Sequence, residues 1–231
     1  MYYVMSDIHG EYDKYMEMLA KIHFSANDTL IVLGDVVDRG PEPIKVLKDM
    51  MLRENVYPLM GNHEIMALDI LKTLLVEITE DNYDSGITDD DIRKLMEWQL
   101  NGGDVTMEKV KNVSVSERES LIEYMEEFEN YMALEVDGKK FLLVHAGLGN
   151  YEKGKMLDDY TLAELTFSRP MLDTVYYSNK LTVVVGHTPT QNFIEKSEIF
   201  TSGNVKFIDC GAAYGGRLAC LCLDTMEEFY V

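Results

Sequence analysis

Three times before residue 76 an apolar run breaks into a short polar loop and then into helical periodicity. The first run covers residues 2–5. It leads into Ser6-Asp7-Ile8-His9-Gly10 and a helical pattern over residues 11–22 with Tyr15, Met18, Leu19 and Ile22 on one face. The second is Thr29-Leu30-Ile31-Val32-Leu33, then Gly34-Asp35-Val36-Val37-Asp38-Arg39-Gly40, then a helix near residues 42–53 with Ile44, Leu47, Met50 and Met51 inward. The third is Val56-Tyr57-Pro58-Leu59-Met60, then Gly61-Asn62-His63-Glu64, then a helix with Ile65, Leu68, Leu71, Leu74 and Leu75 inward. Continuous apolar runs alternating with helices predict parallel strands buried on both faces. Ligands of such sheets gather outside the carboxyl ends of the strands. Here all three ends carry polar, metal-competent side chains.

The loop from Gly34 to Gly40 is the richest of the three. Two aspartates and an arginine lie between two glycines at the end of a fixed strand. Charges held there must find partners, because burying them unpaired is costly. A cation for Asp35, an imidazole for Asp38 and an anion for Arg39 satisfy all three.

Residues 77–135 differ in character, being strongly acidic, with two helices predicted at about 89–100 and 117–131. They read as a helical insertion over or beside the sheet edge, with solvated acidic faces and, in the sharper reading, a cap that shapes the substrate opening. Within it, Trp98-Gln99-Leu100-Asn101-Gly102-Gly103 ends a helix with glycines, an ordinary stop signal. Beyond the insertion, strands are predicted near residues 132–136 and 140–144 about a turn at Asp137-Gly138, and the second ends at His145-Ala146-Gly147. A loop and short helix (151–166) lead to Phe167-Ser168-Arg169-Pro170, and the β-branched run 181–185 ends at Gly186-His187-Thr188-Pro189. Residues 205–208, 218–223 and 228–231 read as strands of a second sheet. With no internal repeat and no linker, residues 1–231 read as a single domain.

The formal charge of −20 repels nucleic-acid phosphates, which argues against groove binding. The three cysteines have no disulfide-like spacing, and Cys220 and Cys222 read as small apolar strand residues. The opening residues lack a basic segment followed by an apolar stretch, and no apolar run approaches membrane-spanning length. The expectation is a cytoplasmic protein with no membrane and no nucleic-acid partner.

Four of the five histidines, His9, His63, His145 and His187, directly follow a predicted strand beside Gly or Asn. A lone histidine so placed is ordinarily structural; four at equivalent strand ends are not a chance pattern. His23 lacks that context and reads as a plain helix-end residue. With Asp7, Asp35 and Asn62 the cluster offers two carboxylates, three imidazole ligands and one amide. Such an N/O set without thiolate suits Mn²⁺, Fe or Zn²⁺ rather than a structural cysteine site. Six ligands are too many for one catalytic ion with open positions. They fit two ions about 3.5–4 Å apart that share a carboxylate, with Asp35 the best bridge.

Asp7-Ile8-His9-Gly10, the Gly34–Gly40 loop, Gly61-Asn62-His63-Glu64, His145-Ala146-Gly147 and Gly186-His187 together resemble the calcineurin-like metallophosphoesterases, and most closely their bacterial and phage Ser/Thr protein phosphatase branch. The motifs stand in family order, and Asp209-Cys210-Gly211 with Gly215-Gly216 extends the likeness. The resemblance implies an α/β fold: a four-layer α-β-β-α sandwich of two mixed sheets flanked by helices, with a helical insertion. It implies that Asp7, His9 and Asp35 bind the first metal. Asp35, Asn62, His145 and His187 would bind the second. His63 would be the general acid, oriented by Asp38, and not a ligand. Arg39 and Arg169 would hold phosphate oxygens, with Asn62 beside them. The cofactors implied are two divalent ions, Mn²⁺ first, with Fe or Zn²⁺ as alternatives.

The implied reaction is hydrolysis of phosphoserine or phosphothreonine, with phosphotyrosine as a further substrate, by direct attack of a metal-bridging hydroxide. The partner is then a phosphorylated protein or a small phosphoester. An alternative keeps the chemistry but takes diadenosine tetraphosphate, cleaved symmetrically, or another small phosphoester. A remoter one is a non-catalytic, metal-stabilised binding module, against which stands the presence of Asp35, Asn62, His63, Asp38 and Arg39. Glu64, where the dinucleotide hydrolases more often carry Asp, favours the phosphatase branch. Tyr214 reads as a packed aromatic rather than a site residue. The Trp98 to Gly103 stretch resembles phage-type members, with no role that the sequence supplies.

Overall fold

The computed structural model describes residues 1–74 and 87–231. Strands and helices first alternate as the periodicity predicts: β1 (Tyr2–Met5), α1 (Tyr12–Lys21), β2 (Thr29–Val32), α2 (Pro43–Met51), β3 (Val56–Pro58) and α3 (Asn62–Leu74). Then come α4 (Asp89–Leu100), α5 (Gly103–Lys111) and α6 (Val115–Glu126). The second half holds β4 (Tyr131–Val136), β5 (Lys139–Val144), the short α7 (Leu162–Thr166), β6 (Leu181–Val185), β7 (Phe200–Ser202), β8 (Val205–Phe207), β9 (Ala219–Cys222) and β10 (Glu228–Tyr230).

Two five-stranded mixed sheets result, in the orders β10-β9-β1-β2-β3 and β4-β5-β6-β8-β7. In the first, β1, β2 and β3 run parallel, with Val4 opposite Ile31 and Leu30 opposite Val56. In the second, β5, β6 and β8 run parallel. The apolar runs explain the layering, since side chains alternate between faces of a strand. Val4, Ile31 and Leu33 point between the sheets against Phe141, Leu143 and Val184. Tyr3, Met5, Leu30 and Val32 point outward under α1, α2 and α3. Leu142, Val144, Val183 and Val185 face the other way, covered by Leu148, Tyr160, Leu165 and Tyr176. The central strands β1, β2, β5 and β6 are therefore buried on both faces over most of their length, and their carboxyl ends are fixed platforms.

Several expectations need correction. β9 and β10 do not join the second sheet. They extend the first, β9 pairing antiparallel with β1 so that Tyr3 meets Cys222. The helix expected over 117–131 is α6 and stops at Glu126. Glu129 is then needed elsewhere, its carbonyl accepting the Met60 N–H at 2.8 Å beside a bridge to Leu59. The insertion expected to end at 135 ends earlier, since Tyr131 already begins β4. α5 and β7 were not expected at all. Met51 is exposed rather than inward. Leu75 and insertion residues 77–86 lie outside the described residues, as does the burial of Leu74. The turn at Asp137-Gly138 is as expected, with both residues left-handed, Asp137 at φ 48 and Gly138 at φ 76 degrees. All three cysteines are free and buried. No helix among the described residues is long and apolar enough to cross a membrane.

Leu143 is fully buried where the two sheets meet. Leu143→Ala should lower the unfolding free energy by about 2–5 kcal/mol through lost burial and the cavity left behind. Urea unfolding checks this, and a loss below about 1 kcal/mol would contradict the inter-sheet core.

Candidate metal centre

The motif residues converge where the carboxyl ends of the parallel strands of both sheets come together. The loops after β1 and β2 stay paired beyond the strands, with His9 N–H donating to Asp35 O at 2.8 Å and Gly10 N–H to Val36 O at 2.8 Å. In the second sheet the loops after β5 and β6 do the same, Gly186 N–H donating to His145 O at 2.7 Å. Six site residues adopt positive φ: Asp7 at 51, His9 at 45, Asp35 at 52, Asp38 at 72, Arg39 at 65 and His187 at 62 degrees. Such backbone costs about 1–3 kcal/mol per residue and clusters at functional sites. Gly61 permits the closest approach. A Cβ there would lie 2.4 Å from both the backbone nitrogen and a carboxylate oxygen of Asp35.

Asp35 is the hub. Its carboxylate lies 3.6 Å from His9 Nε2, 3.4 Å from His145 Nε2 and 3.9 Å from His63 Nε2, and accepts the His63 backbone N–H at 3.1 Å. Burial alone would raise its pKa, but His145, His63, His9 and His187 together hold it far below the usual carboxylate range. Two compact donor groups share it: His9, Asp35 and His63, and Asp35, His145 and His187.

The donor chemistry fits a cation. His9 Nδ1–H donates to Val37 O at 2.8 Å and His145 Nδ1–H to Leu33 O at 2.5 Å, which turns each Nε2 lone pair toward Asp35. A backbone carbonyl fixing the far nitrogen is the usual support for a metal-binding imidazole. Asn62 Oδ1 stands 3.0 Å from His145 Nε2 and 2.8 Å from His187 Nδ1, so three ligand-capable atoms meet at one point. Burial pushes His9 and His187 down to about 3, which keeps both imidazoles neutral and able to ligate. Asp7 lies in neither compact group. Its carboxylate accepts the His187 N–H at 2.9 Å and the Ser6 hydroxyl. Burial, with the nearby Asp35 charge, raises its pKa to about 6.

Beside this cluster His63 donates Nδ1–H to Asp38 Oδ2 at 2.6 Å. Burial disfavours its charged form, but Asp35 and Asp38 outweigh that and hold its pKa above the ordinary value. Arg39 reaches inward, its guanidinium 2.8 Å from His63 Nε2, hydrogen-bonded to His9 Nε2 and 5.0 Å above the Tyr214 ring. A cleft of about 510 Å³ opens over the cluster, lined by Asp35, Asn62, His187, Arg39 and Arg169 among others. Arg169 is anchored to Thr188 Oγ1 at 3.1 Å. All ten residues singled out in the sequence thus lie in or beside one site. Tyr214, read as a packed aromatic, is 62% exposed and borders the cleft. His23 is exposed, as a helix-end residue should be.

Three supports were not legible as such. Glu64, fully buried, spans the strand-end loop. Oε2 accepts N–H from Asp35 at 2.8 Å and Gly61 at 3.0 Å; Oε1 accepts from Val36 at 2.7 Å and Val37 at 3.2 Å. Its place in the Gly-Asn-His-Glu string was visible, but the splinting of a loop 27 to 29 positions away was not. Trp98 and Thr106 both reach Asp38, at 2.8 and 2.6 Å. Trp98 stood out in the sequence without a role, and Thr106 carried no signal.

A two-sheet α/β sandwich with a shared-carboxylate His/Asp cluster beneath an arginine-lined cleft defines the class as metallophosphoesterase-type hydrolases. The calcineurin-like phosphoesterase family model matches residues 2–212, and the chain belongs to that family. It is 27% identical over 225 residues to serine/threonine-protein phosphatase 2 of Salmonella typhimurium, a match that covers 89% of this chain and 90% of that protein. It is 33% identical over 99 residues to the symmetrical bis(5'-nucleosyl)-tetraphosphatase of Wigglesworthia glossinidia brevipalpis. That match covers 42% of this chain and spans only 36% of the relative's length. Among solved structures, one assigned as a diadenosine tetraphosphatase superposes with a TM-score of 0.67 at 18% identity, covering 100% of this chain and 92% of the other. A protein serine/threonine phosphatase from Saccharomyces cerevisiae gives 0.57 at 14% identity, covering 95% and 71%. At such identities these superpositions establish the fold alone.

Glu64→Gln would place an amide NH₂ against backbone N–H donors. The variant should lose about 1.5–3 kcal/mol of stability, the range for hydrogen bonds to a charged group, and bind divalent cations more weakly because Asp35 is less firmly held. Urea unfolding and calorimetric Mn²⁺ titration test this; unchanged values for both would contradict the splint.

Proposed function

We propose that the chain is a two-metal phosphomonoesterase that hydrolyses phosphoserine and phosphothreonine in proteins, with phosphotyrosine as a further substrate. Residues 1–231 would act as one catalytic unit, capped by the helices of the insertion. The observation that carries the reaction is Asp35, one buried carboxylate shared by two donor groups at the base of a cleft that holds two arginines. Phosphoprotein as substrate is supported by the similarity to the Salmonella phosphatase, which extends over most of both chains.

Asp7 and His9 would hold one divalent ion with Asp35, and Asn62, His145 and His187 the other. Asp7 qualifies because a carboxylate already accepting two donors keeps further lone pairs. The N/O donors without thiolate favour Mn²⁺, ahead of Fe or Zn²⁺. When bound, two such ions neutralise phosphate charge and lower the pKa of water toward neutrality.

The remaining steps belong to the side chains. Arg39 and Arg169 grip phosphate oxygens, the planar fork matching two oxygens at once. The His9 Nε2 lone pair can serve Arg39 or a cation, not both, so with His9 holding a cation Arg39 would be free for the substrate. His63, its Nδ1–H held by Asp38, gives a proton from Nε2 to the leaving oxygen. A positioned acid of this kind contributes about 10²- to 10⁴-fold. Asp38 stabilises the imidazolium that makes this donation available near neutral pH.

A second reading takes diadenosine tetraphosphate as substrate. The 33% identity to the symmetrical tetraphosphatases over 99 residues favours it. The same residues would do the same work, and the two readings separate only in the substrate.

Mn²⁺-loaded protein should turn over a phosphoserine peptide faster than diadenosine tetraphosphate; the reverse order selects the second reading, and no turnover of either with any divalent ion overturns both. Asp35→Asn should lower Mn²⁺ affinity and activity together. His63→Asn should keep the metal content and lose about 10²-fold or more with alkyl phosphates, far less with activated aryl esters. Metal analysis of the purified variant decides the point: if His63→Asn strips the ions, His63 is a ligand and not the acid.

A further inference from the structure

Asp38 is fully buried, and donors from three different elements hold its carboxylate. His63 Nδ1–H reaches Oδ2 at 2.6 Å and Trp98 Nε1–H reaches the same oxygen at 2.8 Å. The Thr106 hydroxyl donates to Oδ1 at 2.6 Å and accepts the Asp38 backbone N–H at 2.9 Å. Trp98 lies in the last turn of α4 and Thr106 in the first turn of α5, and both are fully buried.

The turn that joins these helices is shaped to reach the catalytic loop. Gly102 is left-handed at φ 98, and its carbonyl accepts the Arg39 N–H at 3.0 Å. A Cβ on Gly102 would lie 2.8 Å from Arg39 Cγ, and one on Gly103 would lie 2.3 Å from the Trp98 indole nitrogen. α4 itself begins at a reciprocal cap between Thr88 and Asp91, which fixes where its far end falls. An indole N–H and a hydroxyl buried in a helical layer must both be satisfied. Here both are committed to one carboxylate that lies 60 and 68 positions away in the chain. A carboxylate with a donor on each oxygen cannot rotate, so its bond to His63 is fixed in direction.

We propose that Trp98 and Thr106 are positioning residues for His63: acting through Asp38, they hold the imidazole where Nε2 can deliver its proton to the leaving oxygen. The inference rests on the acid role proposed for His63. In the step concerned, a water oxygen forms the new bond to phosphorus and releases one proton to solvent. The phosphorus–leaving-oxygen bond breaks with its electron pair kept by the leaving oxygen. That oxygen takes the proton from His63 Nε2. The imidazole is left neutral, with Nδ1–H still donated to Asp38, and takes up a proton again before the next turnover. The α4–α5 elbow thereby takes part in the chemical step rather than only covering the site.

Leaving-group dependence tests this. Wild type, Thr106→Val, Thr106→Ser, Trp98→Phe and His63→Asn are assayed at saturating Mn²⁺ with a phosphoserine peptide, whose alkoxide needs a proton, and with dinitrophenyl phosphate, whose leaving group does not. Thr106→Val and Trp98→Phe should each lower kcat on the peptide about tenfold and stay within about twofold on the aryl ester, with KM unchanged. Thr106→Ser, which keeps the hydroxyl, should restore the peptide rate. Adding Thr106→Val to His63→Asn should cost nothing more, since the acid it serves is gone. Thermal unfolding of each variant identifies any that fail to fold, and the two sites then stand in for one another. If His63→Asn shows the leaving-group effect but Thr106→Val and Trp98→Phe slow both substrates equally, or neither, the positioning role is overturned and the acid role stands. If His63→Asn slows both substrates equally, the acid role falls and the positioning role with it.

Discussion

The charge of Asp35 is the constraint on which the rest of the site depends. A carboxylate 2% exposed is costly to bury unless positive charge or donors surround it. This fold supplies imidazoles from the ends of β1, β5 and β6 and from the first turn of α3. No single element could do so. The first sheet brings Asp35, His9 and His63; the second brings His145 and His187. The site therefore exists only where the two sheets meet, and the inter-sheet core of Val4, Ile31, Leu33, Phe141 and Leu143 is what holds its halves in register. Cations held there would relieve the same electrostatic problem that the imidazoles relieve in part.

Holding so many polar groups at one edge strains the backbone. Six site residues are left-handed without being glycine, and Gly61 lets α3 begin almost on top of Asp35. That geometry persists because it is over-determined. Glu64 gathers four N–H groups of the strand-end segments, and the loops after β1 and β2 continue the sheet pairing past the strands. The Asp38–Arg39 turn is gripped from the other side by the α4–α5 elbow. A preorganised site of this kind positions charges before substrate arrives, which is where most electrostatic catalysis originates.

How far the sequence could be read follows from the range of each interaction. His9, Asp35, Asn62, His145 and His187 were legible because each directly follows an apolar run, and strand ends in parallel sheets face the ligand side. Glu64 and Trp98 were visible as members of motifs but not as supports, because what they touch lies far along the chain. Thr106 was invisible: one threonine in an acidic segment gains meaning only when α5 packs it beneath Asp38. α5 itself was missed because Gly102-Gly103 reads as a stop, while here Gly102 ends one turn and Gly103 opens the next helix. β9 and β10 were recognised as strands but given to the wrong sheet. Periodicity marks a strand, whereas its neighbour is settled by which edge remains open, and here that was the edge of β1. The overrun of α6 has the same origin, since the pairing of Glu129 with the β3 segment is invisible to a local pattern.

The proposed chemistry turns on one carboxylate serving two cations. Anomalous-scattering data from crystals grown with Mn²⁺ measure this directly. Two peaks about 3.5–4 Å apart, one on each side of Asp35, are the predicted result. A single peak, or a pair that does not share Asp35, would contradict it.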